Sequence, residues 1–258
     1  MSAITCDNVG IQFAHGSQRA ILRRALRRAV FGHSSKEPDG KPRPRQASSF
    51  WALRNLSFSL PSGSTLGVCG INGAGKTTLM RVISGIYAPD EGCATVTGRT
   101  SALLSLGVGI SSSLSGRENL DVVGAVHGLR LQEVRERYEE IRDFADLDED
   151  TMRTPVRYYS SGMRTRLGFA IYAVVTPEIL LIDEVLAVGD ASFREKSGIR
   201  LRELSKQAKC VVISSHNLGF LRENCDTGLW LHESKVAAIG PIDDVINAYT
   251  DYLRVRPR

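Results

Sequence analysis

The sequence lacks the long apolar segments that a membrane-spanning helix requires. Such a helix needs roughly 20 consecutive apolar residues, whereas the longest apolar runs here, at 169–175, 179–182 and 210–213, are short. The first ten residues, MSAITCDNVG, also lack the basic start and the apolar core of a secretion signal. We therefore expect a protein that stays in the cytoplasm.

Cysteine is scarce, and its five occurrences are scattered singly along the chain. None of them forms a C-x-x-C pair or shows the Cys/His spacing of a metal site. This pattern gives no indication of a disulfide framework or a zinc site. It favours reduced thiols in a cytosolic protein.

Acidic residues are scarce between positions 19 and 45, where nine basic residues accompany only two acids. This segment carries a net charge of +7, whereas the whole chain carries +5, so the rest of the chain carries −2. Because the basicity is local, the composition argues against a globally basic nucleic-acid binder. Residues 18–31 place arginine and aliphatic side chains on opposite faces of a predicted amphipathic helix. Residues 32–49, rich in Gly, Pro and Ser, predict an exposed loop.

The remaining sequence alternates between strand and helix patterns. Short apolar or alternating runs predict strands at 8–13, 53–60, 64–69, 94–105, 179–183 and 210–214, with a small hairpin at 227–239. Helical patterns occupy 76–84, most of 117–175, the polar segment after 184, and 241–253, with Pro241 at the start of the last helix. This order predicts an α/β protein.

The segment GINGAGKT at 70–77 fits the phosphate-binding pattern G-x-x-x-x-G-K-[ST] between a predicted strand and a predicted helix. Its glycines permit close backbone approach, so its amides are expected to point at phosphate oxygens. Lys76 would bring a charge to the β- and γ-phosphates, and Thr77 a hydroxyl to Mg²⁺. The predicted nucleotide contacts are Gly70, Asn72, Gly73, Ala74, Gly75, Lys76, Thr77 and Thr78.

The strand at 179–183 ends in two carboxylates. We predict that Asp183 holds Mg²⁺ together with Thr77 and that Glu184 activates the attacking water. Such a strand end is a weak signal alone, since acids often begin the next helix, but it follows a phosphate-binding loop here. His216 follows the next buried strand and could bond the γ-phosphate, or could simply be exposed. Glu184, His216 and Lys76 are the predicted catalytic residues.

The segment YSSGM at 159–163, followed by the run to Asp190 that contains ILLIDE, resembles the signature-to-Walker-B region of ABC ATPases. The resemblance covers 51–240 and implies a P-loop NTPase (RecA-like) α/β core with an antiparallel β-subdomain. It also implies an α-helical signature subdomain at about 107–176, all within one nucleotide-binding domain over 1–258. ATP and Mg²⁺ are the implied ligands, with two ATP molecules held between the subunits of a head-to-tail homodimer.

The same resemblance implies roles for residues outside the phosphate-binding loop. Ser160, Ser161 and Gly162 would contact the γ-phosphate held by the other subunit. Asp190 matches the D-loop aspartate, and Phe13 would stack on adenine. His216 matches the switch histidine.

At two places the sequence departs from the general family pattern, and there it resembles the pattern of a subfamily that exports lipid-linked polysaccharides. The signature reads YSSGM rather than LSGGQ, and LLSLGVG at 103–109 replaces the segment that carries the Q-loop glutamine. The segments at 50–58 and 180–193 also resemble that subfamily. The resemblance implies the ATP-hydrolysing subunit of an exporter that moves a polyprenyl-linked glycan across the cytoplasmic membrane. This subunit would be a peripheral protein on the cytoplasmic face of the membrane, bound to two permease subunits.

Members of that subfamily carry a basic insertion, which residues 14–49 match. Its helix at about 18–31 suits an anionic membrane surface, although it could instead be a solvated face that covers the ATPase core. Some members carry a C-terminal carbohydrate-binding domain, which we do not expect in this protein. We therefore expect the permease and this helix to select the substrate.

Two other functions are compatible with the nucleotide motifs. A non-transport ABC ATPase acting on nucleic acid or ribosomes usually has a long coiled coil or two ATPase units, and neither is present in the sequence. The basic segment also lacks interleaved aromatic residues for base stacking, so no nucleic acid is expected. A scaffold that binds ATP without hydrolysing it is disfavoured by Lys76, Asp183, Glu184 and His216.

Overall fold

The computed structural model describes residues 2–14, 49–103, 110–126, 129–174, 177–183 and 190–255. Within these ranges the strands are β1 (Ser2–Ala14), β2 (Ser49–Pro61), β3 (Thr65–Cys69), β4 (Glu91–Val96), β5 (Thr100–Leu103), β6 (Ile179–Asp183), β7 (Cys210–Ser214), β8 (Thr227–His232) and β9 (Lys235–Pro241). The helices are α1 (Lys76–Ile83), α2 (Gly116–Val126), α3 (Leu131–Glu136), α4 (Tyr138–Ala145), α5 (Glu149–Arg153), α6 (Ser161–Val174), α7 (Ala191–Gln207), α8 (Leu218–Asn224) and α9 (Ile242–Val255). The predicted helix at 18–31, the segment 104–109 and Glu184 lie outside the described residues.

The central sheet has the strand order β5-β6-β7-β3-β8-β9. All neighbouring strands are parallel except β9, which pairs antiparallel with β8. Strands β6 and β7 are buried along their whole length, as expected for parallel strands covered on both faces. The carboxyl ends of β3, β6 and β7 therefore meet at one edge, where α1 begins.

Alternate residues of the central strands belong to two different hydrophobic clusters. Ile179 and Leu181 of β6 and Val212 of β7 pack in the cluster that includes α1. Leu180 of β6 and Ile213 of β7 pack in the cluster on the other face, with residues of α6 and α7. This alternation fixes which side of the sheet each strand-end residue faces.

A second, antiparallel sheet has the order β2-β1-β4. The long strand β1 pairs with β2 from Ser2 opposite Pro61 to Ala14 opposite Ser49. Apolar residues of β1 and β2 join the cluster that also contains α1, so this sheet packs against that helix.

Helices α2–α5 and the middle of α6 form a separate helical layer with its own apolar cluster. Asn119 of α2 is fully buried there. Its side-chain amide donates to the carbonyl oxygens of Ser111, Leu114 and Ser115, and its oxygen accepts the Ser111 N–H at 2.6 Å. One buried asparagine thus fixes the loop that leads into the helical layer.

The structure changes several predicted boundaries. β1 begins at Ser2 rather than at residue 8, and Ser49, predicted in the exposed loop, is the first residue of β2. Pro241, predicted at the start of the last helix, is the final residue of β9, where it pairs with Thr227. Proline is tolerated there because β9 is an edge strand, and α9 begins one residue later. Among the described residues, no helix combines the length and the apolar character needed to cross a membrane. The assignment of the whole chain to one domain with a basic insertion stays a prediction.

Candidate nucleotide-binding site

The loop 70–75 joins β3 to α1 and requires glycine at two tight positions. Gly70 and Gly75 have φ values of +146° and +107°, a region that side chains disfavour. A Cβ on Gly70 would lie 2.4 Å from the carbonyl oxygen of Leu231, and one on Gly75 would lie 2.5 Å from that of Ala52. The loop is therefore pressed between β8 and β2, which fixes the path of its amides.

Lys76, the first residue of α1, is only 8% exposed. Its Nζ donates to the carbonyl oxygens of Gly70 at 2.7 Å and Ile71 at 3.1 Å. The aliphatic stem is therefore buried and the ammonium group is held over the loop. A buried cation needs such partners, and a phosphate oxygen would be a stronger acceptor than a carbonyl.

Thr77 and Asp183 meet at the edge where α1 and β6 come together. The Thr77 hydroxyl donates to Oδ2 of Asp183 at 3.2 Å, and Asp183 is 9% exposed. A hydroxyl and a carboxylate are hard oxygen donors, the type that Mg²⁺ prefers. The donor set of these two residues therefore fits a magnesium ion. Glu184 follows directly in the sequence but lies outside the described residues.

These groups border an open cleft of about 470 Å³. It is lined by Phe13, Phe50, Ala52, Asn72, Gly73, Gly75, Lys76, Thr77, Thr78, Asp183 and His216. The structure thus brings together most of the predicted phosphate, metal and histidine positions. Of the predicted loop contacts, Gly70 and Ala74 are buried behind the cleft.

An aromatic cluster borders the same cleft. Phe13 lies opposite Phe50 in the β1–β2 register, with ring centroids 5.9 Å apart, and its ring is 5.8 Å from that of Tyr87. Phe50 is 48% exposed, so apolar ring surface is available beside the phosphate-binding loop. Such surface suits a flat heteroaromatic base. Sequence reasoning did not single out Phe50 or Tyr87 as site residues.

The signature residues lie at the start of α6 rather than in this cleft. The Ser160 hydroxyl accepts the Met163 N–H at 3.2 Å and so caps α6, and both Ser160 and Ser161 are exposed. The described residues that line the cleft do not include Ser160, Ser161 or Gly162. The amino end of α6, with its partial positive charge, therefore faces outward and can meet a second molecule.

Asp190 caps α7 and contacts α6 through Arg166. Its Oδ1 accepts the Phe193 N–H at 2.9 Å, and its Oδ2 is bonded to the Arg166 guanidinium. The Phe193 N–H and then the Arg166 guanidinium hold the pKa of Asp190 below its usual range. Arg166 also bonds Oδ2 of Asp146 at 2.9 Å. Asp190 does not line the cleft described above.

The ABC transporter family matches residues 53–187 of this chain. An O-antigen export system ATP-binding protein, RfbB of Myxococcus xanthus, is 42% identical over 82% of this chain and 48% of its own length. A teichoic acids export ATP-binding protein, TagH of Listeria innocua, is 36% identical over 87% of this chain and 70% of its own length. A further RfbB, from Klebsiella pneumoniae, is 38% identical over 78% of this chain and 81% of its own length. The chain thus spans about half the length of the Myxococcus relative.

Solved structures share the fold. A dimeric ATP-binding cassette in a post-hydrolysis state, bound to ADP and Pi, aligns with a TM-score of 0.65 at 17% identity, over 93% of this chain and 98% of its own. An ATP-binding subunit of an ABC transporter aligns with a TM-score of 0.67 at 19% identity, over 96% of this chain and 94% of its own. The predicted fold class is therefore confirmed.

Proposed function

Because the chain belongs to the ABC transporter family, we propose that it is the ATP-binding and ATP-hydrolysing subunit of an exporter of lipid-linked polysaccharide. The observation that carries the ATPase assignment is the cleft that gathers Lys76, Thr77, Asp183 and His216. The relatives named for O-antigen and teichoic acid export support polysaccharide as the transported class.

ATP binding uses the phosphate-binding loop and the aromatic cluster. The phosphates lie along the amides of the loop at the start of α1, where backbone N–H groups and the helix dipole favour negative charge. Lys76 exchanges a carbonyl partner for a phosphate oxygen, which gives a stronger, charge-assisted bond. The adenine ring stacks beside Phe13 and Phe50.

Thr77 and Asp183 are the residues that would hold Mg²⁺, whose charge would offset that of the β- and γ-phosphate oxygens. Hydrolysis requires a base beside the attacking water. Glu184 accepts one proton from that water as its oxygen bonds to the γ-phosphorus and the bond to the β-phosphate oxygen breaks. His216 hydrogen-bonds the γ-phosphate, and its contact is lost when phosphate leaves.

The cleft is completed by a second copy of the chain. Ser160, Ser161 and Gly162 lie at an outward-facing helix end, and they contact the γ-phosphate bound by the partner in a head-to-tail homodimer. Asp190 lies at the same interface. Dimeric cassettes among the solved structures of this fold support this arrangement.

The dimer acts on two permease subunits at the cytoplasmic face of the inner membrane, and ATP-driven closure moves the polyprenyl-linked glycan through them. The basic insertion at 14–49 binds the anionic membrane surface through residues 18–31. Liposome binding tests this last point. A variant that lacks 16–48 should bind anionic vesicles more weakly, and unchanged binding would refute the membrane role.

A multi-turnover ATPase assay tests the enzymatic proposal. Lys76→Ala should abolish hydrolysis, whereas Lys235→Ala, which removes an exposed lysine of the β8–β9 hairpin, should leave it unchanged. Glu184→Gln should still bind ATP, hydrolyse it slowly and elute as a dimer with ATP. Wild-type protein without turnover, or a Glu184→Gln variant with normal turnover, contradicts the assignment.

A pull-down in mild detergent from native membranes tests the transport proposal. The tagged chain should recover a multi-helix permease, identified by mass spectrometry. Recovery of ribosomes or nucleic acid without any membrane protein would favour the non-transport alternative and refute the exporter.

A further inference from the structure

Ser214, the last residue of β7, is 1% exposed, and its Oγ makes no hydrogen bond with any described residue. Buried hydroxyls are normally paired, because an unpaired polar atom loses its bonds to water without replacement. Another serine of equal burial, Ser197, follows the rule and donates to the carbonyl oxygen of Arg194 at 3.1 Å. Ser214 is therefore a group whose partner is still to be identified.

The sheet register places Ser214 beside the candidate metal site. Ser214 is the direct partner of Asp183 in the parallel β6–β7 pair. Register partners on adjacent strands lie about 4.8 Å apart and point to the same face of the sheet. The hydroxyl and the carboxylate therefore share one face at the carboxyl end of the sheet.

Two observations identify that face as the one covered by α1. Leu181 and Val212, each two residues before Asp183 or Ser214, pack in the cluster that contains α1. The Asp183 carboxylate itself accepts the hydroxyl of Thr77, which belongs to α1. Strand alternation therefore places the Ser214 side chain on the face of the sheet that α1 covers, behind Asp183, although Ser214 itself does not line the cleft.

We propose that Ser214 is a positioning residue of the magnesium site, whose hydroxyl hydrogen-bonds a water molecule carried by the ion that Thr77 and Asp183 hold. The inference rests on the proposed function. Magnesium keeps several of its waters when it binds protein carboxylates, and these waters need partners. A buried hydroxyl one strand away from Asp183 supplies such a partner and does not itself ligate the ion.

The proposal predicts a change in metal affinity that a merely structural serine would not cause. Partners in the outer shell of a metal site typically change affinity 10- to 100-fold. We expect Ser214→Ala to raise the dissociation constant for Mn²⁺, used as a paramagnetic probe for Mg²⁺, by about tenfold. The measurement is the electron paramagnetic resonance signal of free Mn²⁺ during titration of the full chain saturated with ADP.

Matched variants separate the hydroxyl from side-chain shape. Ser214→Thr keeps a hydroxyl and Ser214→Val replaces it with a methyl group of similar size, so the Thr variant should bind Mn²⁺ more tightly than the Val variant. Ser197→Ala should bind Mn²⁺ as the wild type does. Because the Ser214 hydroxyl lacks a partner without metal, Ser214→Ala should not lower the Tm in EDTA.

Equal Mn²⁺ affinity for the wild type and Ser214→Ala overturns the proposal, as does a lowered Tm of Ser214→Ala in EDTA, which indicates a structural bond. Asp183→Asn distinguishes the two levels of inference. If this variant loses Mn²⁺ while Ser214→Ala does not, the metal site stands and only the serine's role is wrong. If the wild type binds no Mn²⁺ with ADP, the proposed nucleotide site itself fails.

Discussion

Replacement of Gly75 by alanine should distort the phosphate-binding loop and lower the stability of the whole fold. At this position φ is +107°, and the added Cβ would lie 2.5 Å from the carbonyl oxygen of Ala52 and 2.8 Å from Cδ2 of Leu53. Backbone strain of this kind costs about 1–3 kcal/mol, and overpacking costs about 1–3 kcal/mol more. We expect Gly75→Ala to reduce the free energy of unfolding by about 2–6 kcal/mol.

Two other glycines serve as matched controls because they have positive φ without the clash. Gly73 has a φ of +81° and Gly85 one of +77°, and an added Cβ would meet nothing within 4 Å at either position. Each alanine variant there should lose only about 1–2 kcal/mol, since alanine also restricts the unfolded chain. Urea unfolding, followed by tryptophan fluorescence and linear extrapolation, measures the difference.

The comparison tests the tight contact between the loop and β2. A Gly75→Ala variant no less stable than Gly73→Ala would show that β2 does not press on the loop, and the account of the site's rigidity would be wrong. Gly75→Ala should also bind ATP more weakly than the wild type when both are folded, because its amide moves with the distorted loop. Isothermal titration calorimetry measures this, in buffer without urea and at a temperature well below the thermal unfolding midpoints of both proteins.

Three further results are expected. Asn119→Ala should lower the free energy of unfolding by about 3 kcal/mol, because the fully buried amide holds the loop before α2 through four hydrogen bonds; a loss below about 1 kcal/mol in urea would contradict this. Burial raises the pKa of Cys6, Cys69 and Cys225 to about 12, so exposed Cys93 should be the first thiol alkylated at pH 8, and mass spectrometry showing faster labelling elsewhere would refute it. Since a raised folded-state pKa favours the neutral thiol, the free energy of unfolding should fall as pH rises above the ordinary thiol value of 9.0 towards 12, which urea unfolding at pH 8 and 10.5 would measure.

The sequence predicted those parts of the fold whose cause is local. Strands β6 and β7 are unbroken apolar runs, and their observed ends match the predicted ones. Helix α1 begins at Lys76, as the phosphate-binding pattern requires, because the glycines before it impose the turn. In each case the chemistry of neighbouring residues decides the conformation, so a single sequence is sufficient to predict these elements.

Features that depend on register between distant strands could not be predicted. Phe50 joins Phe13 only because β1 and β2 pair antiparallel with these two residues opposite each other. The pairing of Ser214 with Asp183 also arises from the order of strands in the sheet, and no local pattern marks this serine. Asn119 has the appearance of an ordinary helical surface residue, yet tertiary packing buries it completely.

The contacts of Arg166 show why the sequence could name the signature and Asp190 but not the connection between them. One guanidinium on α6 bonds Asp146, 20 residues away, and Asp190, 24 residues away. It therefore joins the end of α4 and the start of α7 to the helix that begins at the signature. Exposed ion pairs contribute little to stability, so their loss would change how these elements are aligned more than whether they fold. Arg166 therefore fixes the position of the helix that begins at the signature relative to the start of α7, where Asp190 lies.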